Sequence, residues 1–193
     1  MPIIYSLIIS QIIFVIFIPL WMQLTLYLHA LVMAVIWFCL TFIGLFVGLL
    51  IGRKKLYISK QTLHFIMFVY SLALFALLFF RPSREGIENI NLIPFNTIRF
   101  YLNGEVNLLI AAYNLGANLG LFIPFGIFYR YRKQPRLIQL VGYAVLGVCI
   151  IEGLQFFTGR GSLDIDDLIL NVTGVMVGYL IYPLIHRVME VKN

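Results

Sequence analysis

The sequence predicts an all-α, polytopic transmembrane bundle of about six helices. Three observations carry that reading. Mean hydropathy is +0.97. Of 193 residues, 62% are hydrophobic and only 11% charged, so the charges fall between long apolar runs. Several of those runs reach about 20 residues, the length of helix needed to cross the hydrocarbon core of a bilayer. A single domain accounts for the whole length.

Apolar length and charged breaks place the spans at about 3–20, 24–51, 62–80, 108–129, 137–157 and 167–185. The first run has no preceding Lys or Arg and no small-x-small cleavage site, so it reads as a retained span rather than a leader. Only Trp21, Met22 and Gln23 separate it from the second, which requires a tight turn at Pro19. If the two fuse into one bent span, the count falls to five. Gly44, Gly48 and Gly52 repeat every fourth position, as do Gly116 and Gly120, and Gly174 and Gly178. That spacing lets helix backbones approach closely in lipid. Cys39 and Cys149 lie inside apolar runs and read as small buried hydrophobes. His29, His64 and His186 are scattered and read as packing residues.

Orientation follows from the basic residues. One set of loops holds Arg53, Lys54, Lys55, Lys60, Arg130, Arg132, Lys133, Arg136, Arg187 and Lys192; the other holds Arg81, Arg84, Arg99 and Arg160. Ten against four puts the first set, and both termini, in the cytoplasm. The net charge of +6 thus reports membrane orientation and not nucleic-acid binding. Acids follow the opposite pattern: Glu85, Glu88, Glu105, Asp164, Asp166 and Asp167 fall outside, and Glu190 inside. The long outer loop, about 81–107, is too apolar for a solvated linker. It reads either as a partly helical cap on the bundle or as a direct contributor to a site.

Glu152, Asp164, Asp166 and Asp167 place half of the chain's eight acids within the span 152–167. Ionisable residues in so apolar a chain mark a functional site by default. Glu152 lies five residues before the end of the fifth span, about 7 Å below it at 1.5 Å per residue, and Gln155 shares its face. Asn171 follows Asp167 at i+4, and Asn114 and Asn118 are again four apart. Polar groups therefore crowd the outer halves of three spans, which describes a pocket open outward or to the outer leaflet and not a through-pore.

Glu152 is a candidate general acid or base, with Asp166 and Asp167 as its partners or as metal ligands and Arg160 as an anion clamp; Glu152 and Asp167 are the candidate catalytic residues. Alternatively Glu152 pairs with Arg160 and is inert; Arg99 and Arg84 are further cations on that side. Asn114, Asn118, Gln155, Arg160, Asn171 and Arg99 are candidate ligand-binding residues. Asp at a helix start is a favoured cap, so one of Asp164, Asp166 and Asp167 serves that end. Together the three could also hold Mg²⁺, Ca²⁺ or Mn²⁺. No other cofactor is indicated: HExxH, GxSxG, a phosphate loop and a CxxC pair are all absent from the sequence.

Four stretches carry a resemblance: NLIPFNTI at Asn91–Ile98, NLGANLGLFIPFG at Asn114–Gly126, EGLQFFTGRGSLDIDDLILNVTG at Glu152–Gly174, and Gly178 beyond. Together they resemble the VanZ family of membrane proteins, over roughly 65–185. The resemblance implies a core of residues 61–193 preceded by a two-span extension, residues 1–60. It also implies the cell envelope of a bacterium and low-level resistance to teicoplanin and related lipoglycopeptides. It supplies no reaction.

Three functions follow as expectations. In the first, an outward pocket engages an amphiphile, either a lipoglycopeptide or a lipid-linked cell-wall precursor. In the second, an interfacial hydrolase or transferase acts on an envelope lipid, with Glu152 as acid or base. The third is an ion-coupled transporter, disfavoured because no repeated pair of broken helices is present; Pro124-x-Gly126 is the one candidate break.

Overall fold

The computed structural model describes residues 1–27, 31–79, 90–104, 106–133, 136–161 and 163–192. Arg81, Arg84, Glu85, Glu88, Glu105 and His29 lie outside them. In chain order the elements are α1 (Pro2–Ile16), α2 (Ile18–Tyr27), α3 (Leu31–Ile51), β1 (Leu56–Ser59), α4 (Lys60–Phe79), β2 (Ile90–Asn91), α5 (Asn96–Leu102), α6 (Leu108–Lys133), α7 (Leu137–Phe157), β3 (Leu163–Asp164), α8 (Ile165–Val188) and β4 (Met189–Lys192). Helix dominates, as the composition requires. Among the described residues four helices are long and apolar enough to cross a membrane: Lys60–Phe79, Ile110–Arg132, Leu137–Phe157 and Ile165–Val188. Two shorter apolar stretches are Pro2–Ile16, which is α1, and Ile36–Ile51, which lies within the 21-residue α3.

The chain forms two compact units. One comprises Met1–Lys60 with Leu184–Asn193, the other Gln61–Pro183. In the first unit α1 and α3 pack antiparallel through small residues. A Cβ on Gly44 would meet Ser10, one on Gly48 would meet the Ile3 backbone, and Gly52 faces Pro2. Gln11 completes the contact, donating to Thr41 at 2.9 Å and accepting from the Trp37 indole at 2.7 Å. The turn expected at Pro19 is not there. The helix breaks at Phe17, Pro19 sits in the first turn of α2 where a missing amide costs nothing, and Trp21, Met22 and Gln23 are helical. The Trp21 indole donates to the Phe14 carbonyl across that break at 3.1 Å.

An all-α reading also misses two short strand pairs, both parallel. In the first unit β1 pairs with β4, Leu56 opposite Met189 and Ser59 opposite Lys192. Lys55 and Glu190 close its edge as an ion pair at 2.8 Å, and the Lys192 ammonium lies 4.1 Å from the centre of the Tyr57 ring.

The second unit is built on α4, α6, α7 and α8. Its core is Leu74, Phe122, Leu140, Val148, Val172 and Val175. Helices α6 and α8 run parallel at backbone contact. A Cβ on Gly174 would collide with the Leu119 carbonyl, one on Gly178 with the Ile123 carbonyl, and one on Gly126 with the Val175 carbonyl. Gly116 and Gly120, expected to pack the same way, have nothing within 4 Å of a Cβ among the described residues, so the fourfold spacing there marks no contact with a described helix. Cys39 and Cys149 are likewise not buried; both sit on exposed helix faces.

Two prolines lie inside helices, and each disturbed carbonyl region finds a side-chain donor. Near Pro124 the Tyr70 hydroxyl donates to the Leu121 carbonyl at 2.7 Å. Pro183 offers no amide to the Tyr179 carbonyl, and Arg130 donates to it at 2.7 Å. Arg130, with Arg132 and Lys133, thus belongs to the last turns of α6 and not to a loop.

Candidate functional site

The segment expected to carry chemistry begins with a structural task. Asp164 ends β3 and starts α8. Its Oδ1 accepts from the Asp166 amide at 2.9 Å, the bond an N-cap residue makes to the second helical position. The same carboxylate accepts from the Asn91 amide group at 3.1 Å and the Thr97 hydroxyl at 2.6 Å. Parallel pairing of β2 with β3 sets Asn91 opposite Asp164. The stretch NLIPFNTI is thereby fastened to the acidic run.

Asp166 makes the second tie. It is 0% exposed. Its two oxygens accept from the Phe95 amide at 2.6 Å and the Ile98 amide at 3.1 Å, so a side chain from α8 caps the start of α5. Phe95 adopts the left-handed backbone conformation, φ 66°, which aims its amide at Asp166. The described part of the long loop is therefore a cap held by Asp164 and Asp166.

Asp167 turns elsewhere and accepts from Asn118 on α6. Glu152, on α7, is 7% exposed and lies within electrostatic reach of the Asp167 and Asp164 carboxylates. Among the described residues Glu152 accepts no hydrogen bond. One turn beyond Asp167 along α8, Asn171 is 5% exposed, and its Oδ1 has no hydrogen-bond partner. Asn118, Glu152, Asp167 and Asn171 thus come from three helices to one end of the unit.

The remaining candidates are placed differently. Gln155 donates to the Leu78 carbonyl at 3.1 Å and ties α7 to the last turn of α4. Asn114 donates back to the Ile110 carbonyl of its own helix at 3.0 Å. Arg99 and Arg160 are exposed, and among the described residues the one ion pair is Lys55–Glu190. A Glu152–Arg160 pair is therefore not formed. Nor do Asp164, Asp166 and Asp167 gather as metal ligands: their oxygens face three separate sets of partners, and among the described residues no three His, Cys, Asp or Glu side chains converge on a point.

A half-open apolar cavity of about 270 Å³ borders the unit's core, lined by residues of four helices, Leu74, Phe122, Leu140, Val148, Ile151 and Val175 among them. Sequence reasoning missed it, although its register was legible. Phe122 is four residues from Asn118, Val148 four from Glu152, and Val175 four from Asn171. On each of the three helices a polar side chain stands one turn, about 5.4 Å, from a residue that lines the cavity. The volume falls just under the roughly 300–1,000 Å³ of pockets for drug-sized ligands.

Fold and site together define a helical membrane protein with a half-buried polar cluster on three helices whose next turns line an apolar cavity. Residues 65–186 match the VanZ/LLP1 family, and the chain belongs to it. No curated protein and no solved structure matches the chain significantly.

Proposed function

We propose that this VanZ-like protein spans a bacterial cell membrane six times, with both termini in the cytoplasm and the Glu152–Asn171 segment at the outer face. There it engages an amphiphile and contributes to glycopeptide resistance. The ligand is a lipoglycopeptide antibiotic or a lipid-linked cell-wall precursor. Ten Lys and Arg residues against four support the orientation. One observation carries the binding role: three helices each set a polar group one turn from the wall of a shared apolar cavity. Such an arrangement takes a polar head at one level and an oily chain at the next.

The test is equilibrium binding of a lipoglycopeptide and of a lipid-linked wall precursor to the full chain in nanodiscs. Wild type binds one of them. Ala144→Phe, which fills the cavity, and Glu152→Gln, which alters the head site, each weaken that binding about tenfold. Equal binding by wild type and both variants overturns the reading.

Glu152 also supports a second reading, an interfacial enzyme acting on an envelope lipid. A buried carboxylate free of hydrogen bonds among the described residues, beside a second carboxylate, fits an acid–base role. Glu152→Gln keeps the shape and removes the proton chemistry. Retention of lipid turnover by that variant rejects the role.

A further inference from the structure

The described part of the cap carries an apolar tip. Leu92, Ile93 and Phe95 are 60%, 68% and 50% exposed, and Pro94 between them is exposed as well. None of the four belongs to a spanning helix, so the composition of the spans does not account for them. Large apolar side chains grouped in this way on a protein surface mark an interaction site. The backbone under them is fully tied. The Ile93 amide donates to the Asn91 Oδ1 at 3.3 Å, the Phe95 amide to Asp166 at 2.6 Å and the Asn96 amide to the Ile93 carbonyl at 3.4 Å, while Pro94 has no amide. Across 93–96 every backbone donor is therefore used inside the unit.

The two ties that flank the tip fix its level. Asn91 stands opposite Asp164, the residue before the span Ile165–Val188, and Phe95 is held by Asp166, the second residue of that span. Only Leu92, Ile93 and Pro94 lie between the ties. At about 3.3–3.6 Å per residue they can depart from the end of the span by about 7 Å at most. The headgroup layer on each face of a bilayer is about 5–8 Å thick. The tip thus stays at the depth of the headgroups and the adjoining acyl chains.

We infer that the Leu92–Phe95 tip inserts into the bilayer leaflet at the Glu152–Asn171 end and anchors the cap in lipid. Acyl chains receive its side chains, and the tied amides at 93–96 leave no donor stranded in hydrocarbon. Arg99, exposed one turn beyond Phe95, supplies a cation to the lipid phosphates. The same facts favour lipid over a protein partner: these four residues have no backbone donor to offer one, and their depth is that of lipid. Asp164 and Asp166 transmit the anchor to the first turn of α8. The inference goes beyond the ligand proposed above and does not depend on it.

The experiment places a nitroxide label at position 93, and in a second protein at position 92, by Ile93→Cys and Leu92→Cys in the full chain carrying Cys39→Ala and Cys149→Ala. Both native cysteines sit on exposed helix faces, so alanine there removes little packing. In phosphatidylcholine nanodiscs, collision with oxygen, which concentrates among acyl chains, is compared with collision with a water-soluble nickel chelate. Oxygen collisions are expected to exceed nickel collisions at least threefold at both positions. A smaller excess, or nickel above oxygen, at either position puts the tip in water and overturns the anchor. Low collision with both reagents puts the tip against protein, a second copy of the chain included, and overturns it too. Either failure leaves the amphiphile reading standing, since that reading has its own binding test.

Discussion

The Arg130 guanidinium donates at 2.7 Å to the Tyr179 carbonyl, the carbonyl that Pro183 leaves without a helical amide. The same guanidinium lies 4.5 Å from the centre of the Tyr179 ring and 5.8 Å from that of Tyr182. One side chain thus repairs a break in α8 and joins it to α6. Arg130→Ala should cost about 1.5–3 kcal/mol, the range for a hydrogen bond to a charged group. Pro183→Ala restores the amide, so the cost of Arg130→Ala should shrink in that background. Arg130→Lys recovers only part, lacking the planar fork that stacks on tyrosine. Unfolding in detergent, read as a double-mutant cycle, measures the coupling.

The glycines Gly116, Gly120, Gly126, Gly174 and Gly178 of α6 and α8 divide into two groups by what they face. Gly126, Gly174 and Gly178 meet carbonyls of the opposite helix, so an added methyl must push backbones apart. Alanine at Gly174 or Gly126 should destabilise by about 1–3 kcal/mol or more. At Gly116 and Gly120 the space is open, and alanine should stabilise by up to about 1 kcal/mol through helix propensity. Melting temperatures of the four single variants check the contrast. Equal effects at all four positions would contradict the helix contact.

Removing the Asp166 carboxylate leaves two amides at the start of α5 without an acceptor. Asp166→Ala should cost about 1–3 kcal/mol, and Asp166→Asn less, since its remaining carbonyl oxygen can take one of the two amides. The loss is local. Amide exchange should quicken across Phe95–Leu102 while the middle of α7 is unchanged, and hydrogen-exchange mass spectrometry resolves the two.

The strand pair β1–β4 carries a pH dependence. Glu190 titrates below the usual carboxylate range because Lys55 donates a hydrogen bond to it and sits beside it as a cation. The same contact raises Lys55. The unfolded chain therefore takes up the Glu190 proton more readily than the folded one. The pair's contribution is complete above about pH 4.3, the ordinary glutamate value, and fades as pH falls through the lower folded value. At the other end it is complete below about pH 10.4 and fades as pH rises through the raised Lys55 value. Both side chains are exposed, so the effect is small and confined to the strands. Exchange at Leu56–Ser59, corrected for intrinsic rates, should hold steady near neutrality and quicken in acid. Glu190→Gln should remove that acid dependence.

Much of this was readable from residues alone, and what was not has physical reasons. Apolar runs bounded by charge locate α4, α6, α7 and α8, because helix length in lipid is fixed by bilayer thickness. The fourfold glycines at Gly174 and Gly178 marked a true contact, but the identical spacing at Gly116 and Gly120 did not, since spacing fixes a face and not what lies opposite. Asp at a helix start announced that one of Asp164, Asp166 and Asp167 is a cap, and Asp164 is the one that caps α8. That Asp166 caps α5 instead, some 70 residues back, depends on tertiary docking that no local signal encodes. The β1–β4 pair joins segments more than 100 residues apart and has no alternating pattern long enough to show. Arg130 reads as a loop charge until Pro183 is counted back four residues to Tyr179.

The backbone-to-backbone seating of α6 on α8 also limits how the core cavity can open. Three glycine–carbonyl contacts leave no gap for those helices to slide or tilt independently, so they form a fixed wall. On the opposite wall Tyr70 joins α4 to α6 and Gln155 joins α7 to α4 through side-chain hydrogen bonds, and no glycine–carbonyl contact of this kind is found there among the described residues. Any widening of the cavity is therefore expected on the side of α4 or α7 and not between α6 and α8.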